Sequence, residues 1–268
     1  MATSLQGPIS TDTVRDYWDR RPCNIRHSTA PIGSAQYFQE VEARKYLIEP
    51  HIPGFADFPS WAGKRVLDVG CGIGTMGIGF ARAGALYTGF ELSQVSLDIA
   101  KARFDVLSQL GRFVLGDAEQ LSDYFPSEKF DLVFSFGVIH HAPNPPKIIQ
   151  EIRKIIAPDG VLKIMLYAKN SWKQIMIDAG LDQPEAQSGC PIAISYTPEE
   201  VRELLDGFDI VSIEQDHIFP YQVDHYVNYE YVRQPWFEAM PPDMFRALER
   251  SLGWHLCITA TPSKTESN

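Results

Sequence analysis

"VLDVGCGIGTMG" (residues 66–77) is the stretch on which the fold turns. A short apolar run ends at Val69, and glycines follow at 70, 72 and 74. The run reads as a buried strand. The glycines read as the turn into a helix, where the backbone bends sharply and a ligand can approach with no Cβ in the way. Glu91 comes about 20 positions later, ending the next apolar run "ALYTGFE" (85–91). A carboxylate there can accept hydrogen bonds from two ribose hydroxyls. A glycine triplet alone would be an ordinary tight turn. Preceded by a strand, opening a helix and followed by its acid, it marks a nucleotide-type cofactor site.

Working outward, apolar runs alternate with helical patterns. "RVLDVG" (65–70) is a strand and "GTMGIGFARAG" (74–84) a helix stopped by Gly84. "LSQVSLDIAKARFDVLSQLG" (92–111) is a helix with Ser93 as N-cap and Gly111 as stop. "RFVLGDAEQL" (112–121) gives a short strand and a turn, and "FDLVFSFG" (130–137) a buried strand. "PPKIIQEIRKIIAPDG" (145–160) carries five isoleucines on one helical face, and "VLKIMLYA" (161–168) is another strand. This alternation predicts an α/β domain with a mostly parallel sheet. Further on, "TPEEVRELLDG" (197–207) opens a helix with a capping box of Thr197 and Glu200. "DIVSIEQDHI" (209–218) and "WHLCITATP" (254–262) are the last two strands. "SAQYFQEVEARKYLIEP" (34–50) is a helix halted by Pro50.

The chain has 268 residues, 44% apolar and 22% charged, enough for one large domain with insertions. A net charge of −10 with no Lys/Arg run argues against a nucleic-acid partner, since that binding rests on neutralising phosphates. The four cysteines (Cys23, Cys71, Cys190, Cys257) lack C-x-x-C spacing, so neither a disulfide framework nor a zinc knuckle is expected, and a reducing cytoplasm fits. The opening "MATSLQGPISTDTVRDYWDRR" has no continuous apolar core of a secretory signal. No segment offers about 18 uninterrupted apolar residues, so no membrane partner is expected.

The glycine spacing is G-x-G-x-G, where dinucleotide folds use G-x-G-x-x-G. Asp68 precedes the first glycine by two positions, a place that disfavours a pyrophosphate and suits a ligand bearing an ammonium group. Together these features resemble the first motif of class I S-adenosylmethionine-dependent methyltransferases. The later motifs follow in order: Glu91 ending "YTGFE", Asp117 and Ala118 in "GDAEQL", the fourth strand in "FDLVFSFGVIHH", and "IIAPDGVLKIMLY" for the L-x-P-G-G turn and fifth strand, with Asp159 replacing the first glycine. The match covers roughly residues 63–168 and is similar to the ubiquinone/menaquinone-type small-molecule branch.

The resemblance implies a Rossmann-like fold: a seven-stranded, mostly parallel sheet with an antiparallel last strand. It also implies S-adenosyl-L-methionine as cofactor and S-adenosyl-L-homocysteine as product. Asp68, Gly70, Cys71, Gly72 and Gly74 would hold the cofactor from the first turn. Glu91 and Leu92 would hold its ribose side, Asp117 and Ala118 its adenine, and Phe136 its flank. The implied domain spans 61–262, with an N-terminal cap segment 1–60, cap insertions at 169–196 and 219–253, and a disordered tail 263–268.

The fourth strand runs into "VIHHAPNPP" (138–146). Nucleobase methyltransferases carry a polar-Pro-Pro-aromatic motif at the strand end itself. Asn144-Pro145-Pro146 comes well past Gly137 and Lys147 stands where the aromatic should, so Asn144 is expected to cap the next helix. His140 and His141 are candidates for a base near the transferable methyl, or for pocket lining. His27, His51, His217, His225 and His255 are dispersed along the chain, and no metal is expected.

The caps should hold the acceptor. The segment 219–253 is rich in aromatics, and His225, Tyr226, Tyr229 and Trp236 are candidate substrate contacts; a dimer interface or the core of a helical cap would use the same residues. The N-terminal "DYWDRRPCNIRHS" (16–28) offers Arg21 and Arg26 for the substrate, with Tyr17 or Tyr37 near the cofactor's carboxylate. The expected function is methyl transfer to N or O of a small metabolite, in natural-product biosynthesis. The alternatives are a non-catalytic S-adenosylmethionine-binding protein and a NAD-dependent oxidoreductase.

Overall fold

The computed structural model describes residues 9–180 and 189–264. The segment 181–188 of the first cap insertion and residues 265–268 of the expected disordered tail lie outside the described residues. Three helices come first, α1 (Thr11–Arg20), α2 (Ala35–Ile48) and α3 (Ile52–Ala56). Then follow β1 (Arg65–Val69), α4 (Thr75–Arg82), β2 (Leu86–Glu91), α5 (Gln94–Val106), β3 (Arg112–Leu115), α6 (Leu121–Tyr124) and β4 (Phe130–Phe136). The chain continues through α7 (Pro145–Ile155), β5 (Ile156–Ala168), α8 (Trp172–Asp178), β6 (Ser195–Tyr196), α9 (Pro198–Leu204) and β7 (Phe208–Asp216). It closes with α10 (Val223–Tyr226), α11 (Pro235–Glu238), α12 (Pro242–Leu252) and β8 (His255–Pro262).

One sheet has the order β3-β2-β1-β4-β5-β8-β7, with the two-residue β6 beside the end of β5. The first five strands pair in parallel, and β8 is antiparallel to both β5 and β7. The mostly parallel sheet with an antiparallel last strand is therefore as expected, and β6 is an addition. From β1 the chain lays β2 and β3 on one side, then crosses over to lay β4 on the other. Such a switch leaves a crevice beyond the carboxyl ends of β1 and β4, the place where open α/β sheets bind ligands.

Alternate residues of the strands feed opposite faces, as the pleat requires. Leu67, Val69 and Val133 pack with the isoleucine face of α7. Val66, Leu132 and Phe134 pack with Ile78 and Phe80 of α4 and with Ile52 and Ala56 of α3. Full burial of each such side chain contributes about 1.5–3 kcal/mol.

The caps form as their sequences dictate. Ser93 accepts from the Ser96 amide, Asn144 from the Lys147 amide, and Thr197 and Glu200 close the capping box. The Asn144 cap gives Asn-Pro-Pro its use: it starts α7. Two helices stop earlier than expected. α7 ends at Ile155, because Ala157 precedes a proline and is driven to extended backbone; β5 begins there and pairs Ile156 with Phe130. α5 ends at Val106, and Ser108 takes φ +52° just beyond it.

Candidate cofactor and active site

The glycine turn sits at the crevice. Gly70, Gly72 and Gly74 have φ of +76°, +54° and +75°, all in the left-handed region. A Cβ on Gly70 would lie 2.4 Å from Val138, whereas one on Gly72 would meet nothing within 4 Å. The two glycines thus serve different ends: Gly70 lets the β4 end approach, and Gly72 leaves room on the cleft wall. Next to them the Glu91 carboxylate accepts from the Gly72 amide at 2.8 Å, the Leu92 amide at 2.8 Å and the Ser93 amide at 2.9 Å. Burial raises its pKa, and those backbone donors oppose the rise. Its position is therefore fixed before any ligand arrives.

The cleft is about 1170 Å³ to its open mouth. One half is walled by Gly70, Cys71, Gly72, Glu91 and Leu92, with Asp117 and Ala118 beyond. Asp117 also caps the turn after β3, accepting from the Glu119 amide at 2.9 Å. The other half is walled by Phe136, Val138, His141 and Tyr167, with Val14 and Trp18 of α1 across from them. α1 is held there by Asp19, which accepts from the Ser93 hydroxyl at 2.7 Å and the Val95 amide at 3.3 Å.

The two histidines separate cleanly. His140 is fully buried, packs at a tilt against Tyr167 at 3.8 Å between ring centroids, and neither of its nitrogens has a hydrogen-bond partner. It stands behind the cleft wall. His141 is on the wall, its ring set edge-to-face with Trp18 at 5.4 Å between ring centroids. Its Nδ1 lies 2.6 Å from the Ile192 carbonyl oxygen, so Nδ1 carries the proton and Nε2 is the acceptor. Burial lowers its pKa to about 4, and the Ile192 bond only partly opposes this. The ring is neutral near pH 7.

Several expected contacts are used elsewhere. Asp68 is fully buried behind the wall; the Tyr87 hydroxyl donates to it at 3.0 Å and its Oδ1 has no partner. Burial lifts its pKa to about 7. Gly74 faces α5, where a Cβ would lie 3.1 Å from Ala100. Tyr37 is fully buried and donates to the Ile25 carbonyl at 2.9 Å, and Tyr17 bonds Arg21. Neither tyrosine is on the cleft wall. Among the described residues the wall also excludes Arg21, Arg26, His225, Tyr226, Tyr229 and Trp236.

The aromatic cap grips the protein's own arginine. Arg44 of α2 lies over Tyr226 at 4.1 Å and Tyr229 at 4.2 Å from their ring centroids, and donates to the Tyr226 carbonyl at 2.6 Å. Tyr229 donates to the Arg26 carbonyl at 2.8 Å, His225 pairs with Glu230 at 2.6 Å, and Trp236 packs near Phe237 with half its surface exposed. The helical-cap use of this segment is the one these contacts describe.

Trp18, Lys45, Thr75 and Tyr167 also stand on the wall, unforeseen in the sequence. Ser10 followed by Val14 and Trp18 on one helical face was a usable signal for α1, since Ser10 caps it by accepting from Thr13. Nor does dispersal in sequence survive folding for three of the other histidines: His51, His217 and His255 come together, with Phe136 beside His51 and His255.

Sheet order, glycine turn and fixed acid define a Rossmann-like, class I methyltransferase fold. Residues 67–164 match the family model described as a methyltransferase domain. The ubiquinone biosynthesis O-methyltransferase of Dechloromonas aromatica is 36% identical over 111 residues, covering 41% of this chain and 47% of that protein. The chain thus spans about half the length of the curated relatives it matches. The magnesium protoporphyrin IX methyltransferase of Synechocystis PCC 6803, solved with S-adenosylhomocysteine, superposes with a TM-score of 0.60 at 19% identity, covering 95% of this chain and all of that one. The [4+2]-cyclase SpnF superposes with a TM-score of 0.58 at 20% identity, covering 98% of this chain and all of that one. At such identities the likeness is one of fold alone.

The residues present fit the cofactor of that domain. Gly72 leaves open space where a side chain would fill the cleft, and the Thr75 hydroxyl is buried on the wall with no hydrogen-bond partner.

Proposed function

We propose that the protein transfers a methyl group from S-adenosylmethionine to an oxygen or nitrogen of a small metabolite in natural-product biosynthesis. Oxygen is the favoured atom, as in the O-methyltransferases it resembles. The observation that carries this reading is the continuity of the cleft: one cavity joins the Glu91 and Gly72 half to an aromatic half closed over by α1. The long cap insertions support a dedicated acceptor.

The bound cofactor supplies an electrophilic methyl on a sulfonium, and the protein's task is to align and desolvate the acceptor. Glu91 is the residue to take the ribose hydroxyls, and Asp117 with Ala118 the adenine edge. Phe136, Val138, Trp18 and Tyr167 exclude water from the far half. His141 presents Nε2 as a neutral acceptor, suited to orienting an acceptor hydroxyl and taking its proton as the oxygen reacts. Its low pKa makes it a weak base, so orientation is its larger role.

Calorimetry with S-adenosylmethionine, S-adenosylhomocysteine and NAD, followed by a labelled-methyl screen against metabolite extracts, tests the reading. One-site binding of the first two, no binding of NAD, and a labelled small product are expected. Tight NAD binding would overturn it. Cofactor binding with no labelled product from any extract would leave a binding protein.

A further inference from the structure

Outside the cleft, one cluster of side chains has chemistry that methyl transfer does not use. Glu49 closes the end of α2 and His51 begins α3, with Pro50 between them. His255 is the first residue of β8. Folding brings these three together: His51 Nε2 lies 3.0 Å from His255 Nδ1, and His255 Nδ1 lies 4.0 Å from Glu49 Oε2. One nitrogen or carboxylate oxygen from each of the three falls within 4.8 Å of the others. His217 packs against both imidazoles, at 5.6 Å from His51 and 4.5 Å from His255 between ring centroids.

The polar accounting of this cluster is incomplete. Lys45 donates to Glu49 Oε1 at 2.5 Å, but Glu49 Oε2 is buried with no partner. His51 Nδ1 is likewise buried and unpartnered. An unsatisfied buried polar atom costs about 1–3 kcal/mol, and a charged one more. The site is also lined by apolar rings, with Phe136 at 6.0 Å from His51 and 5.4 Å from His255. His51 Nε2 and His255 Nδ1 share one proton in a hydrogen bond; a cation seated among the three residues would displace that proton to solvent and take up both ring nitrogens together with the free carboxylate oxygen.

We infer that Glu49, His51 and His255 form a binding site for a divalent transition-metal ion, with Zn²⁺ the representative. Two imidazoles and a carboxylate are a borderline-soft donor set that suits zinc and its first-row neighbours, not calcium or magnesium. Around tetrahedral zinc, with bonds of about 2.0–2.1 Å, ligand atoms stand roughly 3.3 Å apart, so the observed separations need only small side-chain rotations. A fourth position remains for water. A second cavity, about 400 Å³ in volume, is lined by His217 and Trp254, and His217 in turn packs against both imidazoles. The ion would clip the α2–α3 junction to the start of β8, one side chain behind the cleft wall formed by Phe136 and Tyr167. It is not placed to touch the acceptor.

The test uses tag-free, chelator-treated full-length protein titrated with Zn²⁺ by calorimetry. Co²⁺ is then added as a visible-spectrum reporter of coordination. One equivalent should bind, and thermal unfolding should move upward with added Zn²⁺. His51→Ala and His255→Ala should each weaken binding by about 100-fold or more and abolish the thermal shift. Glu49→Gln should weaken it less. His225→Ala, at a half-exposed histidine away from the cluster, should bind like wild type. Equal zinc uptake by wild type and the His51→Ala/His255→Ala double variant overturns the inference, as does the absence of saturable binding. Should the variants fail to fold, X-ray absorption at the zinc edge of the wild-type protein decides: two imidazoles in the first shell support the site, and their absence removes it. None of these readouts depends on methyl transfer.

Discussion

Gly70 and Gly72 share a backbone hand and differ in surroundings. An alanine at either pays about 1–2 kcal/mol for a left-handed φ. At Gly70 the added methyl also collides with Val138, while at Gly72 it enters the cleft. Gly70→Ala should therefore be the less stable variant by thermal melting. Gly72→Ala should stay folded and lose S-adenosylmethionine affinity by about 10-fold or more, since about 1.4 kcal/mol of lost contact is tenfold. His140 and His141 divide in the same manner. His141→Ala should cut turnover by about 100-fold, at the lower end for a proton-handling group, with cofactor affinity little changed. Because burial holds His141 to about 4, turnover should show no inflection near pH 6.5 from this group; any loss due to its protonation appears as pH falls toward 4. His140→Ala should instead open a hole beside Tyr167 and lower the melting temperature.

At the scale of elements, one buried side chain ties the tyrosines of the helical cap to α2. Arg44 is sandwiched by Tyr226 and Tyr229, with Tyr231 at 5.7 Å. Its Nε and Nη1 have no hydrogen-bond acceptor, so the tyrosine faces are what satisfy the charge. Lysine offers no planar group to stack, and Arg44→Lys should cost about 2 kcal/mol and increase proteolytic cutting between β7 and α12. This contact also shows where the sequence was legible. The glycine turn and the helix caps were readable because each depends on residues a few positions apart, and the acid because it ends the next strand, about 20 positions on. The use of Tyr226 and Tyr229 was not, because it depends on an arginine 182 positions away. The far half of the cleft was opaque for the same reason: Trp18, His141 and Tyr167 meet only after the sheet is assembled. Where the sequence did mislead locally, at Ile156–Gly160, a proline two residues into the run outweighed the isoleucine periodicity.

For the whole molecule, buried neutral histidines set the acid limit. Burial lowers His141 to about 4 and His27 to about 3, with Lys45 and Arg44 adding to the effect on His27. Above about pH 6.5 both states leave these rings neutral and they do not affect stability. Below it the unfolded chain takes up protons that the folded chain refuses, so stability falls as pH drops toward 4. Each group contributes a loss of about 1.4 kcal/mol per pH unit across that window. Thermal melts at pH 7.5, 6.0 and 5.0 should descend, most steeply below 6, and His27→Gln should flatten the descent if it folds. The strand order has a further effect at this scale. β8 is threaded between β5 and β7, not appended at the edge. While the ribosome is still extending the chain toward residue 255, β5 has a bare side and β7 has no partner at all. Two unpaired strand edges wait on one late segment, and until it arrives they are the places where a partly made chain can pair with the wrong strand.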